Sequence, residues 1–543
     1  MRPGRRELAG HRPVTSGEPR RTTTDAGLWT GLNPVMAMAA KGVVLAFVLA
    51  TVWDVDAAGA VFGRIRSWIE GTLGWFYFLV VCTNVLACLF LVCSRYGRIR
   101  LSDDASSPEF KTSSWLAMLF SAGIGIGLLF FSIAEPLFYF DTSQAAGYPN
   151  NPSADLAGAM ALDEQRAVHA MRVTYFHWGI HGWSVYVVVG LCLAYFGFRK
   201  KLPLTLRSAL YPLIGDRIYG PIGDLVDLLA VFGGVFGIAT SLGLGASQMA
   251  TGLDVLLGVD PGRVTQVALI AAISLAATLS AVSGVNRGIR VLSEWNIRVS
   301  ILLLGCFLLL GPFTWLAGFV ATSLGEYLWR LAPMSVWIAG DPGEAAWQNA
   351  WTIFYWGWWI SWAPFVGTFI ARISRGRTLR EFILGVMFVP TGLVLLWFGI
   401  FGGNAIHLEL NALGGVGTAG IMELVRDANY EAALYATIGR MSDIGWLTWA
   451  MSAMATLLLA TWFVTSSDSG TLVITTFLSM GDAPPPRRFR IVWGLGVGVV
   501  AAVLLLADGL QALQTAAIAA ALPVSVVLLF MIAGLFRSLA RER

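Results

Sequence analysis

Long apolar segments alternate with short polar connections along almost the whole chain. Twelve of these segments reach about 20 residues, the length that a helix needs to cross the hydrocarbon core of a bilayer. The pattern therefore predicts an all-α integral membrane protein with twelve transmembrane helices. The predicted spans begin near Pro34, Gly74, Trp115, Arg172, Asp224, Val264, Ile297, Ala345, Glu381, Trp446, Ile491 and Gln511.

Basic residues are concentrated in every second connection. Short loops that are rich in lysine and arginine stay on the cytoplasmic side of a membrane. Both termini are therefore predicted to be cytoplasmic, and the number of spans to be even, which agrees with twelve. The basic connections contain Arg95, Arg98, Arg100 and Lys111, then Arg199, Lys200, Lys201, Arg207 and Arg217, then Arg287, Arg290 and Arg298, then Arg372, Arg375, Arg377 and Arg380, and finally Arg487, Arg488 and Arg490.

Two spans contain helix-breaking residues near their middles. The third has Gly123, Gly125 and Gly127, and the eighth has Pro364. Glycine also serves close helix packing in membranes, but three glycines at alternate positions exceed what one packing face needs. Spans 3–7 and 8–12 then form two five-span groups, and the odd number of spans inverts the second group relative to the first. Broken helices at matching positions of inverted repeats indicate the central site of a transporter.

This organisation divides the chain into five parts and adds two local expectations. Residues 378–381 match a capping box that would begin the ninth span, and the connection 403–444 is expected to be partly helical outside the membrane. The arginine-rich amino-terminal segment lacks the hydrophobic core of a signal peptide. The parts are a disordered basic cytosolic tail (1–33), two leading transmembrane helices (34–114), a first five-helix repeat (115–320), a second, inverted five-helix repeat (345–536) and a short cytosolic carboxy-terminal tail (537–543).

Composition excludes several functional classes. Of the 543 residues, 56% are hydrophobic and 13% are charged, against about a quarter charged in soluble domains. The five histidines and five cysteines form no catalytic or metal-binding constellation, which disfavours a membrane enzyme and predicts no cofactor. A channel would need a polar pore-lining stripe in several spans, which is not evident. The predicted partners are a small substrate and membrane lipid, with no nucleic acid.

The eighth span carries an unusual cluster of tryptophans. Trp356, Trp358, Trp359 and Trp362 lie near the middle of the apolar run 345–371, just before Pro364. Tryptophan is common at membrane interfaces, but an interfacial belt does not explain indoles at the centre of a span. Indole rings beside a helix-breaking proline favour a site that holds an organic cation against ring faces.

Several strings together resemble the betaine/carnitine/choline transporter family, over about residues 34–535. They are Ala122-Gly-Ile-Gly-Ile-Gly-Leu128 with Ala134-Glu-Pro136, then Phe176-His-Trp-Gly179, and then residues 356–381, with their Trp-Trp-Ile-Ser-Trp and Arg-Ile-Ser-Arg-Gly-Arg segments. The resemblance implies a leucine-transporter-like fold with two extra leading helices, assembled as a homotrimer. It also implies substrates with a trimethylammonium or related onium group.

Carried over by position, the resemblance implies an aromatic box of Trp178, Trp183 and Tyr186 with Trp359. On one helix, offsets of five and eight residues place the first three side chains within a sector of about 140°. A quaternary ammonium cannot donate hydrogen bonds, so ring faces are its natural partners. In addition, Trp356 and Trp362 would line the route in and out, and the backbone N–H groups of Gly123, Gly125 and Gly127 would meet a substrate carboxylate.

The coupling ion stays open between Na⁺ and H⁺. In sodium-coupled relatives, carbonyls of the glycine span and hydroxyls of the tenth span hold one ion, and the matching positions are Ser121, Ile124, Thr465 and Ser466. Hydroxyls in membrane helices also bond their own backbone. Relatives with a second sodium have threonines in the fifth span where this chain has Gly234 and Ile238. That departure leaves proton coupling, or exchange with no ion requirement, as alternatives.

Acidic and histidine side chains inside spans are the candidates for a proton route. Glu135 and Asp468 would be costly in lipid without a partner or a function. His177 and His181 stand one turn apart, but the sequence offers no carboxylate or third ligand at matching spacing. A helix-packing or hydrogen-bonding role is therefore favoured over a metal site.

Substrate choice depends on Gly127. Choline-preferring relatives carry an acid at this position, so the glycine favours a zwitterion such as glycine betaine, with choline, carnitine, ectoine or a sulfonium as alternatives. A zwitterion also avoids burying net charge. In osmosensing relatives a long basic carboxy-terminal helix takes part in activation. Only residues 537–543 follow the last span here, so activation through such a helix is not expected.

Overall fold

A computed structural model describes residues 23–24, 27, 29–123, 125–141, 162–283, 286–413, 420–481 and 486–542. Within these ranges, the side chains of residues 120–123, 283, 286–290, 413 and 508 are not described. Most of the predicted cytosolic tail 1–33 lies outside the described residues. In the part of the chain that the structure describes, the regular elements are all helical, and β-pairing is limited to two isolated bridges.

The helices follow one another with short connections. In chain order they are α1 (Pro34–Trp53), α2 (Val55–Cys93), α3 (Thr112–Gly123), α4 (Ile126–Phe140), α5 (Glu164–Trp178), α6 (Ile180–Ala194), α7 (Tyr211–Ile214), α8 (Pro221–Leu257), α9 (Arg263–Ser283), α10 (Asn286–Leu310), α11 (Phe313–Val336), α12 (Pro342–Gln348), α13 (Phe354–Ile373), α14 (Leu379–Leu413), α15 (Ile421–Arg426), α16 (Tyr430–Arg440), α17 (Gly445–Leu478) and α18 (Arg487–Leu539). Glycine at position 509, with a φ of +52°, separates the two apolar runs of α18.

Ten helices of the described chain are long and apolar enough to cross a membrane. They are Pro34–Trp53, Val55–Cys93, Glu164–Arg199, Pro221–Leu257, Arg263–Val282, Val291–Leu310, Leu379–Ala412, Gly445–Leu478, Arg487–Ala507 and Gly509–Leu539. The molecule is therefore an all-helical multi-pass membrane protein. The second span begins at Val55, well before the predicted Gly74, because α2 continues through the polar residues that precede its apolar half.

The predicted break in the third span is present. Helix α3 ends at Gly123 and α4 begins at Ile126, while residue 124 between them lies outside the described chain. Gly125 precedes α4 in an extended conformation, with φ −152° and ψ 173°. The N–H groups of Ile126 and Gly127, at the start of α4, point back toward this break, while that of Leu128 donates to the Gly125 carbonyl at 3.0 Å.

The fourth span is also broken, which the sequence analysis did not predict. Helix α5 ends at Trp178 and α6 begins at Ile180, with Gly179 between them at φ −91° and ψ −140°. The backbone N–H of Ile180 donates instead to the hydroxyl of Tyr327, at 3.0 Å. A hydroxyl from α11, far away in sequence, therefore satisfies the donor that the break releases.

The eighth span, in contrast, is continuous where a break was predicted. Helix α13 runs continuously from Phe354 to Ile373 with Pro364 inside it, and is preceded by a π-helical turn over Asn349–Ile353. The predicted break at the proline is therefore wrong. The hydroxyl of Thr368 donates to the carbonyl of Pro364, at 2.7 Å, a local hydrogen bond that supports the backbone around the proline.

Two local predictions are confirmed, and one helix was missed. The backbone N–H of Glu381 donates to the Thr378 hydroxyl at 3.2 Å, and the N–H of Thr378 donates to the Glu381 carboxylate at 2.9 Å, which is the reciprocal pattern of a capping box. Helices α15 and α16 lie in the connection 403–444, as expected. Helix α11 falls outside the predicted spans, because its apolar run is interrupted by polar residues.

A charge cluster ties the end of α18 to the end of the Glu164–Arg199 helix. Two oxygens of Glu542 accept from Arg199, at 3.0 Å from Nε and 2.8 Å from Nη2, and Oε1 also accepts from Lys200 at 2.5 Å. The hydrogen bonds from Arg199, followed by those from Lys200 and Tyr195, lower the pKa of the Glu542 carboxyl to about 2. Because this pKa lies below its ordinary value of 4.5, the cluster stabilises the fold above that value and loses its contribution as the pH falls toward 2.

We expect Glu542→Gln to lower the stability of the protein at neutral pH by about 1 kcal/mol, since the pair is close to the surface and partly screened. The difference between variant and wild type should vanish near pH 2. Thermal unfolding in detergent at several pH values measures it. Substitution of the exposed Asp443 by Asn is the matched control and should show no such pH-dependent difference. Equal loss for the two variants at every pH would contradict the role of the cluster.

Candidate functional site

Four aromatic rings meet where α6 crosses α13. The ring centroid of Trp359 lies 5.9 Å from that of Trp178, 5.8 Å from that of Trp183 and 5.0 Å from that of Tyr186. The Trp183 and Tyr186 centroids are themselves 5.5 Å apart, and all four side chains are buried. The structure therefore brings together every ring of the predicted aromatic box.

The local chain path explains why these rings converge. Helix α6 starts afresh after Gly179, so Trp178 ends one helix while Trp183 and Tyr186 lie on the next. The sector of about 140° expected for one continuous helix is therefore not what aligns them. Gly182 allows the indole of Trp359 to lie directly on α6, since a methyl group at that position would overlap the ring.

The indole of Trp359 is held in place by its nitrogen. Its Nε1–H donates to the carbonyl of His177 at 3.0 Å, within the last turn of α5. This acceptor sits at the end of a helix, where carbonyl groups lack intrahelical donors. The broken fourth span therefore both positions the rings and supplies the hydrogen bond that orients Trp359.

Gly127 lies against a second pair of indoles. A Cβ atom at this position would be 2.6 Å from Cη2 of Trp178 and 2.7 Å from Cη2 of Trp358. Neither distance is tolerated by real side chains, so only glycine fits between these rings as they stand. By contrast, a Cβ at Gly125 would meet no atom of the described residues within 4 Å. The surroundings of Gly123 lie outside the described side chains.

A buried carboxylate stands directly behind the box. Glu135 of α4 is fully buried, and its Oε2 accepts from Nε1 of Trp178 and from the hydroxyl of Tyr355, both at 2.6 Å. Its Oε1 accepts from the Tyr139 hydroxyl at 3.1 Å and contacts Nδ1 of His177 at 2.7 Å. One acid thus joins α4, α5 and α13 through four polar contacts.

No carboxylate lies at matching spacing to His177 along the sequence, but the fold brings Glu135 to it. Its Nδ1 faces Glu135, and its Nε2 lies 3.0 Å from the Thr352 hydroxyl. His181 turns away, with Nε2 2.8 Å from the Ser335 hydroxyl and its ring stacked on Trp356. The two imidazoles therefore serve hydrogen bonding and packing, as expected. Among the described residues no group of three potential metal ligands is present.

The remaining tryptophans of the eighth span face different neighbours. Trp356 packs on Phe78, Phe176 and His181, with ring centroids 5.3 to 6.4 Å away, on the side of α13 toward α2. Trp362 is half-buried, and its Nε1–H donates to the carbonyl of Gly237 in α8 at 2.8 Å. Neither ring joins the box, so their predicted role along the route of the substrate stays a prediction.

The proposed ion-binding positions are only partly described. The Thr465 hydroxyl donates to its own helix, at 2.9 Å from the Trp462 carbonyl, and Ser466 is half-buried nearby on α17. Ile124 and the side chain of Ser121 lie outside the described part of the chain. On α8, Gly234 and Ile238 face Ile474 and Gly470 of α17, so this contact offers an ion no side-chain oxygen.

The second intramembrane acid lies apart from the box. Asp468 of α17 is largely buried, and its Oδ2 accepts from the hydroxyl of Ser280 on α9 at 3.0 Å. This hydrogen bond ties two neighbouring helices together. Asp468 therefore has a structural partner, whereas Glu135 has partners that include a ring of the box.

Sequence reasoning missed two side chains that border the box. Tyr355 lies with its ring centroid 5.3 Å from that of Trp178, and Trp358 lies 6.1 Å from it. The indole nitrogens of Trp183 and Trp358 are buried donors that have no hydrogen-bond partner in the structure. The signal for both residues was the string of aromatic residues itself, in which only Trp359 was assigned to the box.

Comparison with known proteins places this arrangement in a family. Residues 34–543 match the family described as BCCT, betaine/carnitine/choline family transporter. A glycine betaine transporter of Bacillus subtilis (strain 168) is 42% identical over 506 residues, which cover 92% of this chain and 94% of that protein. A high-affinity choline transport protein of Escherichia coli (strain K12) is 38% identical over 515 residues, 94% of this chain and 74% of that protein.

Proposed function

This chain belongs to the betaine/carnitine/choline transporter family, and we propose that it imports glycine betaine or a related trimethylammonium osmolyte by alternating access around the aromatic box. The observation that carries the proposal is the convergence of Trp178, Trp183 and Tyr186 on Trp359. Each ring face attracts a desolvated onium group by about 1 kcal/mol or more.

The box is closed in this conformation. Centroid distances of 5.0 to 5.9 Å around Trp359, with two edge-to-face pairs and one tilted pair, mean that the rings contact one another directly. Because a trimethylammonium head must sit between ring faces, the rings separate when it binds. Such a rearrangement couples binding to movement of α6 relative to α13, which is what alternating access requires.

The carboxylate of the substrate is assigned to the break in the third span. The first turn of α4 presents backbone N–H groups beside Gly125, and a helix amino terminus favours an anion. Together, the break and the box suit a ligand with an anionic end and an onium end. Choline has no anionic end, and Gly127 offers no acid to a free cation, so choline is the second candidate.

The membrane arrangement follows the same proposal. The ten apolar helices, the broken pair α3–α4 and the tryptophan-rich α13 make twelve spans, of which 3–7 and 8–12 form inverted repeats. The protein lies in the plasma (cytoplasmic) membrane with both termini in the cytoplasm, and three copies form a homotrimer. Na⁺ bound near Ser121, Ile124, Thr465 and Ser466, or a proton, supplies the driving force.

Flux into proteoliposomes tests this function. Labelled glycine betaine should accumulate when an inward gradient of Na⁺ or H⁺ is imposed, and it should not accumulate when both gradients are absent. Replacement of Na⁺ by K⁺, with and without a pH gradient, identifies the ion. A panel of glycine betaine, choline, carnitine and ectoine identifies the substrate.

The outcomes separate the alternatives. Accumulation that requires Na⁺ identifies sodium as the coupling ion. If the hydroxyls of α17 hold it, Thr465→Val should weaken sodium dependence, whereas Thr461→Val on the same helix should not. Exchange of substrate without either gradient identifies an ion-independent exchanger. The proposed function would be refuted if the protein neither bound nor transported any compound in the panel.

A further inference from the structure

The carboxylate of Glu135 is placed to act on the box through Trp178. An indole nitrogen can only donate, so its acceptor determines which way the ring edge points. The distance of 2.6 Å from Nε1 of Trp178 to Oε2 of Glu135 is typical of a charge-assisted hydrogen bond. The same ring has its centroid 5.9 Å from that of Trp359. Glu135 therefore fixes one wall of the box without touching the space between the rings.

The donors around Glu135 suit an ionised carboxylate. Trp178 and Tyr355 both donate to Oε2, and Tyr139 donates to Oε1. The His177 ring is held between groups on both sides: its Nδ1 lies 2.7 Å from Oε1 of Glu135 and 3.2 Å from the Tyr139 hydroxyl, and its Nε2 lies 3.0 Å from the Thr352 hydroxyl. An ionised carboxylate only accepts hydrogen bonds, and these three donors match its two oxygens.

An anion at this position acts on a cation in two ways. Its charge acts along the plane of one indole, from the Nε1 edge toward the box, within the low-dielectric interior of the protein. Its hydrogen bond also polarises the Trp178 ring, because hydrogen-bonded groups polarise one another in a low-dielectric interior. A more negative ring face binds a cation more strongly.

We propose that Glu135 is a positioning and specificity-determining residue, which orients Trp178 and supplies the counter-charge for the onium head of the substrate. This inference rests on the proposed function and names the group that makes the box prefer a cationic head to a neutral one of the same shape. If Glu135 were only a tie between α4, α5 and α13, its removal would loosen the site for ligands of either kind.

A pair of probes separates these possibilities. In 3,3-dimethylbutanoate a carbon atom replaces the nitrogen of glycine betaine, so the two molecules share shape and carboxylate and differ only in the charge of the head. Apparent dissociation constants for both come from quenching of tryptophan fluorescence of the full chain in detergent. The informative quantity is the ratio of the constant for 3,3-dimethylbutanoate to that for glycine betaine.

Glu135→Gln is expected to reduce this ratio at least about tenfold, the size of effect for one unit charge a few ångström away in a protein interior. Glycine betaine should bind more weakly, while 3,3-dimethylbutanoate should bind as well as before or better. The matched control is Glu409→Gln. Glu409 is also fully buried, but it accepts from the backbone N–H groups of Ile421 and Met422, and its substitution should leave the ratio unchanged.

If Glu135→Gln weakened the binding of both probes equally, the counter-charge role would be overturned. If this variant does not fold, Glu135→Asp and Tyr355→Phe decide the question, because both keep the charge and should keep the ratio within about threefold. A strongly reduced ratio of the two dissociation constants in Glu135→Asp and Tyr355→Phe would contradict the proposal. Wild-type protein that binds neither probe would refute the proposed function as well, whereas normal wild-type binding with an unchanged ratio in Glu135→Gln would refute only the role of Glu135.

Discussion

Trp359→Leu is expected to lower the kcat/KM of glycine betaine uptake at least about a hundredfold, a loss of roughly 2.7 kcal/mol of transition-state stabilisation. Trp359 contacts Trp178, Trp183 and Tyr186 together, so its loss removes one ring face and the support of three others. Leucine fills part of the volume, but it has no ring face to offer a cation. Uptake of labelled glycine betaine into proteoliposomes measures the effect.

The control for this substitution is a tryptophan of similar burial elsewhere. Trp493 lies buried in the Arg487–Ala507 helix, and the next residue, Gly494, lies against Thr278 of α9. Trp493→Leu should cost comparable packing energy but leave the affinity for glycine betaine within about threefold of the wild type. Expression and thermal unfolding of both variants check that the protein folds. Uptake at the wild-type rate by Trp359→Leu would remove the box from the mechanism.

The apolar pattern was sufficient to predict the class of fold. Hydrophobic length and the placement of arginine and lysine carry most of the information about a membrane helix, and both are local properties of the sequence. The glycines of the third span likewise marked a break that the structure contains between α3 and α4. The number of spans and the inverted repeats stay predictions, because helix length alone does not count crossings.

Breaks that depend on distant partners could not be predicted in this way. A single glycine in an apolar run is common in membrane helices, so Gly179 gave no distinct signal. The break there is stable because the Tyr327 hydroxyl of α11 accepts from the free N–H of Ile180. Conversely, Pro364 suggested a break, but α13 tolerates the missing hydrogen bond and stays continuous. Local composition did not decide either outcome.

The carboxylate behind the box shows the same limit. The sequence identified Glu135 as an expensive charge in a span, which is a local observation. Its partners Trp178, Tyr355 and His177 come from two other helices, and no spacing along the chain relates them to it. Only the packing of α4 against α5 and α13 reveals that the acid holds a ring of the box.

The directions of the four tryptophans were also beyond the sequence. Helix α13 is surrounded by neighbours, so each indole in the cluster has a different partner. Trp359 faces α6, Trp358 faces Gly127 of α4, Trp356 faces α2, and Trp362 reaches α8. Periodicity gives the angles between them but not the identity of the helix that lies on each side.

The contacts of Gly127 change what its substitution should do. The family resemblance alone implies that an acid at position 127 favours choline. In the structure, the Cβ atom alone would lie 2.6 Å from the Trp178 ring and 2.7 Å from the Trp358 ring. Any side chain must therefore displace two indoles, and overpacking of this kind costs about 1 to 3 kcal/mol. The steric effect and the effect of charge can be separated by two substitutions.

Gly127→Ala is expected to lower the kcat/KM for glycine betaine about thirtyfold or more, since it adds only the clashing methyl group. Gly127→Asp should lose at least as much glycine betaine uptake. Its ratio of choline uptake to glycine betaine uptake should be about tenfold higher than that of Gly127→Ala. The reason is that the aspartate carboxylate attracts a free cation and repels the carboxylate of glycine betaine. Gly125→Ala, whose methyl group would meet no described atom within 4 Å, should retain far more uptake than either. Competition between labelled choline and glycine betaine in proteoliposomes measures both ratios. An aspartate variant with the same ratio as the alanine variant would rule out a role for charge at this position, and full uptake by Gly127→Ala would mean that the two indoles already move apart at little cost.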